Sequence, residues 1–315
     1  MTVAGKSSPR LKRFFGRSCR QVLKDWQLYT FLLVPVAYFI IFRYGPMLGN
    51  LIAFRTYVPG GSWLGTGWVG LKYFSMFVHQ PQFWNAFRNT FVISIVSLII
   101  GFPLPIIFAI LLNELKNKAF KRTVQTISYL PYFLSTVVVA GLILDLLAAD
   151  SGLINELVKA LTGNTYQFMQ EPNAFVWVYS ISGLWQTLGW NTIIYLAALS
   201  NINTELYEAV EIDGGGRWKQ IAHVTIPGIL PTIIILLILA IGQMFSVGFE
   251  KILLLYNPMI YSTADVISTY VYRVGIGMNN FSYATAIGLF ESVIDVVLLV
   301  AANLICKKTT ENSLW

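Results

Sequence analysis

Four carboxylates fall within nine residues at Glu205, Glu208, Glu211 and Asp213, and three consecutive glycines follow at Gly214, Gly215 and Gly216. Two kinds of chemistry suit such a cluster. The first is phosphate binding, but a nucleotide-binding loop needs G-x-x-x-x-G-K-[ST] after a strand, and no such match occurs in the 315 residues. The second is contact with a partner. Residues 205–212 have helix-forming composition, the glycines end any helix there, and residues 218–224 can begin another. A short acidic helix, a tight turn and a second helix form a knob suited to a partner's cleft.

Other reactive constellations are scarce. His79, His223, Cys19 and Cys306 lie in separate regions and make no metal site. A membrane-embedded enzyme such as a glycosyltransferase would want a clustered acid, base or metal motif, which these residues do not supply. Glu291 and Asp295 are more unusual, because they interrupt an apolar stretch and share one face at i, i+4. At mid-bilayer each carboxylate would cost roughly 2.5 to 3.5 kcal/mol. They must therefore face the bundle interior, a partner chain or a wet cavity.

The elements that carry these residues are dictated by the scarcity of charge. Only 37 residues are charged, 12% of the chain, whereas 56% are hydrophobic, and the mean hydropathy is +0.62. Uncharged runs cover residues 89–113, 123–144, 172–204 and 220–249. Each is long enough to cross a hydrocarbon core about 30 Å thick at about 1.5 Å per residue. Two further apolar spans tolerate charge: residues 28–48, crossed by Arg43, and residues 284–305, which hold Glu291 and Asp295. The expected fold is an all-α integral membrane protein of six transmembrane helices. A soluble enzyme, a secreted disulfide scaffold and a DNA-binding domain are excluded.

Basic residues set the orientation. Seven of the 22 lie in the first 27 residues (Lys6, Arg10, Lys12, Arg13, Arg17, Arg20, Lys24), and Lys116, Lys118, Lys121 and Arg122 lie between the second and third spans. Both segments are expected inside the cell. Six crossings then return Lys307 and Lys308 to the cytoplasm as well. The net charge of +7 is thus an orientation signal whose partner is an anionic lipid surface, with no nucleic acid implied. The apolar stretch after Trp26 is longer than a signal-peptide core and lacks a small-x-small cleavage site, so a retained first helix is expected. Cys19 and Cys306 both fall on the cytoplasmic side, where no disulfide is expected.

This gives a basic cytoplasmic tail (1–27), a first transmembrane helix with an extracytoplasmic loop (28–84), a five-helix core carrying the acidic knob at 205–231 (85–306) and a cytoplasmic tail (307–315). The loop from residue 49 to 83 is rich in Gly, Pro and aromatics, and is expected to pack on the end of the bundle. Residues 151–172 are expected to form a short amphipathic helix closed by a turn at Gly163 and Asn164.

The knob carries a resemblance. Glu208-Ala209-Val210, then Gly214 after three residues, then Val224-x-Ile226-Pro227 after nine more, resembles the EAA motif of permease subunits in binding-protein-dependent ABC importers. The family's second Ala is Val210 here, and Val224 and Ile226 stand for its usual Ile and Leu, all of them apolar exchanges. Residues 68–74, 129–131 and 265–271 resemble the subfamily that imports oligosaccharides and polysaccharide fragments, including alginate-type and maltose-type importers.

The resemblance implies a type I importer fold with a cytoplasmic coupling helix, in a bacterial cytoplasmic (inner) membrane. It implies a second permease chain, two copies of a cytoplasmic ATPase that hold the ATP and Mg, and an extracytoplasmic sugar-binding protein. No cofactor is expected on this chain, and alternating access is the implied mechanism. Glu208 would be the charged anchor to the ATPase, Gly214 the turn-former, and Ala209 and Ile212 buried contacts, with Glu211 and Asp213 on the same coupling surface.

For the sugar path, Gln186 and Trp190 share one face of the fourth span, and Thr187 and Asn191 a neighbouring stripe. Trp185 and Tyr195 add aromatic surface of the sort that stacks on sugar rings, and Gln243 is a further candidate. Sealing of helix contacts fits each of these residues equally well. Glu291 and Asp295 are candidates on the same footing, and in that position they would speak against a polyanionic substrate. The competing reading is a secondary transporter or channel for polar solutes without an ATPase. It would want an inverted repeat, and it gives no reason for the spacing of the knob.

Overall fold

The computed structural model describes residues 24–310, 313 and 314. Six of the seven basic residues of the amino-terminal tail, with Cys19, lie outside this range. Every regular element among the described residues is helical, apart from an isolated antiparallel bridge between Arg55 and Trp68.

Among the described residues, four helical stretches are long and apolar enough to cross a membrane: Trp26–Phe54, Pro81–Glu114, Arg217–Gly242 and Phe281–Thr310. The bent pair Lys118–Phe133 and Thr136–Leu146 is long and apolar enough when its two halves are taken together. The helix Pro172–Ser200 has 29 residues and no charge, a length of about 44 Å. Its amide and hydroxyl side chains make it less apolar than the other spans. The set is consistent with six crossings.

Proline explains most of the departures from regular geometry, because it offers no N–H and displaces the carbonyl one turn earlier. The first span loosens into a π-turn at Ile40–Tyr44, just before Pro46, and the fifth does so at Ile221–Thr225, just before Pro227. The third span, expected over residues 123–144, is broken at Pro131. Leu130–Phe133 tightens to a 3-10 turn around Pro131, Leu134 and Ser135 turn extended, and the chain bends by 101°. Ser135 then caps the next helix by accepting the Val138 N–H at 3.3 Å. The half before the bend carries Lys118, Lys121 and Arg122 on a strongly amphipathic helix.

The fourth span lies at the centre, against the second, third and fifth. Gly189 sets its closest approach: a Cβ there would overlap the Ser128 carbonyl and lie 2.7 Å from the Tyr129 ring. Around it, Ile93, Val139, Phe175 and Ile252 form one fully buried cluster.

The loop after the first span is ordered, as its aromatic content requires. Phe54 stacks on Trp68 with ring centroids 5.7 Å apart, and the helix Lys72–Val78 buries Phe77 against Phe83 at 4.6 Å. Ser282 of the last span donates to the Arg55 carbonyl at 2.8 Å and accepts the Tyr57 N–H at 3.0 Å. The expected amphipathic helix is Leu153–Thr162, and Gly163 closes it at φ 82°. Its buried residue is Asn155, which donates to the carbonyls of Leu147 and Ala148 and accepts from Tyr166, while Leu157 and Leu161 face outward.

Residues 249–277 were not resolved into elements by sequence. They fold back on the bundle as the helix Phe249–Leu255, short turns and the helix Ile267–Tyr272. Asn89 of the second span donates to the carbonyls of Ser262 and Asp265, both at 3.0 Å, and Thr90 Oγ1 accepts the Ile267 N–H at 2.9 Å. Buried polar side chains here satisfy the backbone groups of the folded-back segment.

Candidate functional site

The acidic knob forms as the sequence dictates. The helix Glu205–Ile212 ends at Asp213, and Gly214 adopts φ 72°, a left-handed conformation that disfavours any Cβ. The Gly215 N–H then returns to the Val210 carbonyl at 2.7 Å, closing the turn. Gly215 is required for a different reason: a Cβ there would sit 2.7 Å from the Val210 carbonyl oxygen. The helix Arg217–Gln220 follows directly.

Two side chains make the knob one piece with the fifth span. Tyr207 Oη and Thr225 Oγ1 lie 3.1 Å apart, and Gln220 Nε2 donates to the Tyr207 carbonyl at 3.3 Å. Glu205, Glu208, Ala209, Glu211 and Asp213 are exposed, and Ile212 and Trp218 are each 85% exposed. Two large apolar side chains held so far into solvent beside a row of carboxylates form an exposed patch of the kind that marks contact surfaces. The contact role expected for Ala209 and Ile212 therefore calls for a second chain, since neither packs on this one. Trp218 belongs to this surface and was not singled out by sequence reasoning. An isolated Trp after a glycine run was the available signal.

Away from the knob, the second and fourth spans and the segment after the fifth, with Thr136 and Ala240 of the third and fifth, border an open cavity of about 610 Å³. Gln186, Thr187, Asn191 and Gln243 all line it. Gln186 also donates to the Leu134 carbonyl at 3.4 Å, which the bend of the third span leaves free. Ser97 and Ser180 share a hydrogen bond of 3.0 Å in the same wall, and the buried Ser94 Oγ has no partner among the described residues.

The other candidates lie elsewhere. Trp190 stacks on Tyr132 with centroids 4.3 Å apart and parallel rings, within the packing of the third and fourth spans. Trp185 lines separate apolar grooves, one of them beside Val124 and Ile127 and another beside Trp177. Tyr195 is buried among Ala109, Leu199 and Ile229. Glu291 borders a different cavity of about 480 Å³ with Phe249, Tyr272 and Ser292. Asp295 accepts from the Phe245 N–H at 3.2 Å and from Ser246 Oγ at 3.3 Å.

Sequence reasoning missed Lys251. It closes the uncharged run as half of a Glu-Lys pair, which reads as the end of a span, although the apolar run Ile252-Leu253-Leu254-Leu255 follows. Lys251 is only 7% exposed and lines the central cavity. No metal-binding cluster of His, Cys, Asp and Glu occurs among the described residues.

Comparisons place this geometry among known proteins. The family described as binding-protein-dependent transport system inner membrane component matches residues 101–311. Protein LplB of Bacillus subtilis (strain 168) is 40% identical over 311 residues, covering 98% of each chain. The polygalacturonan/rhamnogalacturonan transport system permease protein YteP of the same organism is 40% identical over 295 residues, covering 94% of this chain and 92% of that one. Among solved structures, a bacterial ABC transporter involved in the import of the acidic polysaccharide alginate contains a chain with 39% identity and a TM-score of 0.86. The match covers 93% of this chain and 99% of that one. A second structure holds the alginate transporter in complex with an alginate pentasaccharide-bound periplasmic protein, at the same identity and TM-score, covering 94% of this chain and 99% of that one.

Proposed function

The chain belongs to the binding-protein-dependent transport system inner membrane components, and we propose that within this family it is the permease subunit through which an ATP-driven importer passes oligosaccharides. ATP is hydrolysed by partner ATPase subunits that hold the nucleotide and Mg. A second permease chain completes the path, and an extracytoplasmic binding protein delivers the sugar. The amino and carboxyl termini and the knob face the cytoplasm, as the distribution of basic residues favours.

The observation that carries this reading is the knob itself. Its helix, left-handed glycine and rigid tie to the fifth span through Tyr207 and Thr225 form a lever. An ATPase that grips Glu208, Ala209, Glu211, Ile212, Asp213 and Trp218 can move the fifth span as a body. Coupling of this kind needs a stiff contact between two bistable parts. The cavity beside the fourth span is largely apolar but offers a sugar the amides of Gln186, Asn191 and Gln243 and the hydroxyl of Thr187 to exchange for water.

Acidic oligosaccharides fit best as cargo. Two of the similar proteins are named for polygalacturonan/rhamnogalacturonan and for alginate. Glu291 and Asp295, which would repel such cargo, do not line the central cavity; of its lining residues Glu250 is the one acid and Lys251, next to it, the one base. Affinity purification of the tagged chain from its host membrane tests the assembly: an ATPase and a second permease should co-purify, and neither should when residues 205–216 are replaced by a flexible linker. Purification of the wild-type chain alone from gently solubilised membranes would favour a transporter that needs no ATPase.

A further inference from the structure

We propose that Lys251 is the residue of this permease that receives the carboxylate of an acidic sugar in the central cavity, an inference that rests on the oligosaccharide-import reading above. The side chain is more than nine-tenths buried, and its Nζ donates to the Tyr179 carbonyl at 3.3 Å while lying 5.0 Å from the centre of the Tyr179 ring. An ammonium has three protons to donate, and the Tyr179 carbonyl takes one. Among the described residues no carboxylate lies within ion-pairing distance of it; the one such ion pair given by the structure joins Arg273 and Asp265.

A buried cation without a counter-ion is costly and is ordinarily paired. Here the surroundings hold it open toward the cavity. Tyr179 Oη accepts the Gly248 N–H at 3.1 Å, which fixes the start of the helix that carries Lys251. Gly183 stands opposite: a Cβ at that position would lie 3.7 Å from Nζ, so a larger side chain there would cover the ammonium on the cavity side. Glu250 also borders the cavity, but it is exposed, and adjacent side chains on a helix diverge by about 100°. The helix that carries Lys251 packs on Thr136–Leu146, which holds Asp145, and on Ile267–Tyr272, which follows Asp265. Asp265 is paired with Arg273, Asp295 is committed to Phe245 and Ser246, and Glu291 borders the separate cavity. None of these four acids lines the central cavity. A uronate carboxylate entering this space would complete the pair and meet the free Ser94 hydroxyl and the amides of Gln186 and Asn191 on its other edges.

The test uses the complete importer in proteoliposomes, with uptake of an unsaturated-uronate oligosaccharide compared with its carboxyl-reduced neutral counterpart of equal length. Each variant is expressed relative to wild type for each sugar, so that the binding protein's own preference cancels. Lys251→Met should lower uptake of the acidic sugar about tenfold or more and change the neutral one less than twofold, while Lys251→Arg keeps most of the acidic uptake. Gly183→Leu, which leaves Lys251 in place but roofs it, should show the same selective loss, and it serves if Lys251→Met does not assemble. Equal loss of both sugars, or no loss of either, overturns the assignment. Wild-type uptake of the neutral sugar without the acidic one overturns it too and leaves oligosaccharide import standing. Wild-type uptake of neither defeats the oligosaccharide reading itself.

Discussion

The carboxylate of Asp295, in the last span, accepts the backbone N–H of Phe245 at 3.2 Å, just past the end of the fifth span. Its second oxygen accepts from Ser246 Oγ at 3.3 Å. An acid inside a membrane helix is thereby used to hold the turn where the fifth helix stops at Gly242 and the lining of the central cavity begins. The carboxylate is a structural anchor, and the free backbone donor is what makes a charge at this depth tolerable.

Loss of that anchor should show as lost stability. Asp295→Leu removes two hydrogen bonds to a charged acceptor, each worth about 1.5–3 kcal/mol, and should lower the thermal midpoint of the purified complex by several degrees. Glu291 makes no hydrogen bond among the described residues, so Glu291→Gln should change the midpoint little. A Glu291→Gln variant as unstable as Asp295→Leu would contradict this division of roles.

The glycines of the knob are expected to fail differently. Gly214→Ala meets no atom within 4 Å and incurs only the left-handed backbone penalty, about 1–2 kcal/mol. Gly215→Ala drives its Cβ against Val210 and must open the turn. In membranes with equal amounts of inserted protein, binding-protein-stimulated ATP hydrolysis should fall for both, and further for Gly215→Ala. Full stimulation in the latter would show that the turn's shape is not used in coupling.

Gly189 is the packing point of the fourth span. Gly189→Ala should force the fourth span away from Ser128 and Tyr129, at about 1–3 kcal/mol of overpacking. By contrast, Gly141→Ala on the third span meets nothing within 4 Å and should be neutral. Thermal midpoints of the two purified variants decide the matter.

Arg273 and Asp265 tie the folded-back segment together. Arg273 donates through Nη1 to Asp265 Oδ1 at 3.0 Å and through Nη2 to Oδ2, and Thr269 adds a hydrogen bond to the same carboxylate at 2.9 Å. Because Arg273 is partly exposed, the expected cost of Asp265→Asn is about 1–2 kcal/mol, below that of a fully buried pair. A double-mutant cycle with Arg273→Gln should give a coupling of similar size. Strict additivity of the two changes would mean that the pair contributes nothing.

Much of the fold was legible because the bilayer imposes simple arithmetic. Charge-free runs located the apolar spans, and the glycine run located the turn at Gly214. The break in the third span was not legible, since Pro131 can be absorbed as a kink or can end a helix, and the carbonyl that Gln186 satisfies decides which. For the cavity, i, i+4 spacing correctly placed Gln186, Thr187 and Asn191 on nearby stripes, yet it could not say which stripe faces in. Trp190 shares a stripe with Gln186 but turns to Tyr132, because a stack on a ring of the third span outcompetes a polar wall. Lys251 was hidden for the opposite reason: a lone cation at the edge of an apolar run looks like a boundary until the chain folds back.

ATP-dependent uptake tests the central claim most directly. In proteoliposomes containing this chain, its co-purified permease and the ATPase, labelled acidic oligosaccharide should accumulate only with ATP and sugar-loaded binding protein, and accumulation should stop when Gly214 and Gly215 are both replaced by valine. Accumulation that continues without ATP hydrolysis would contradict the account.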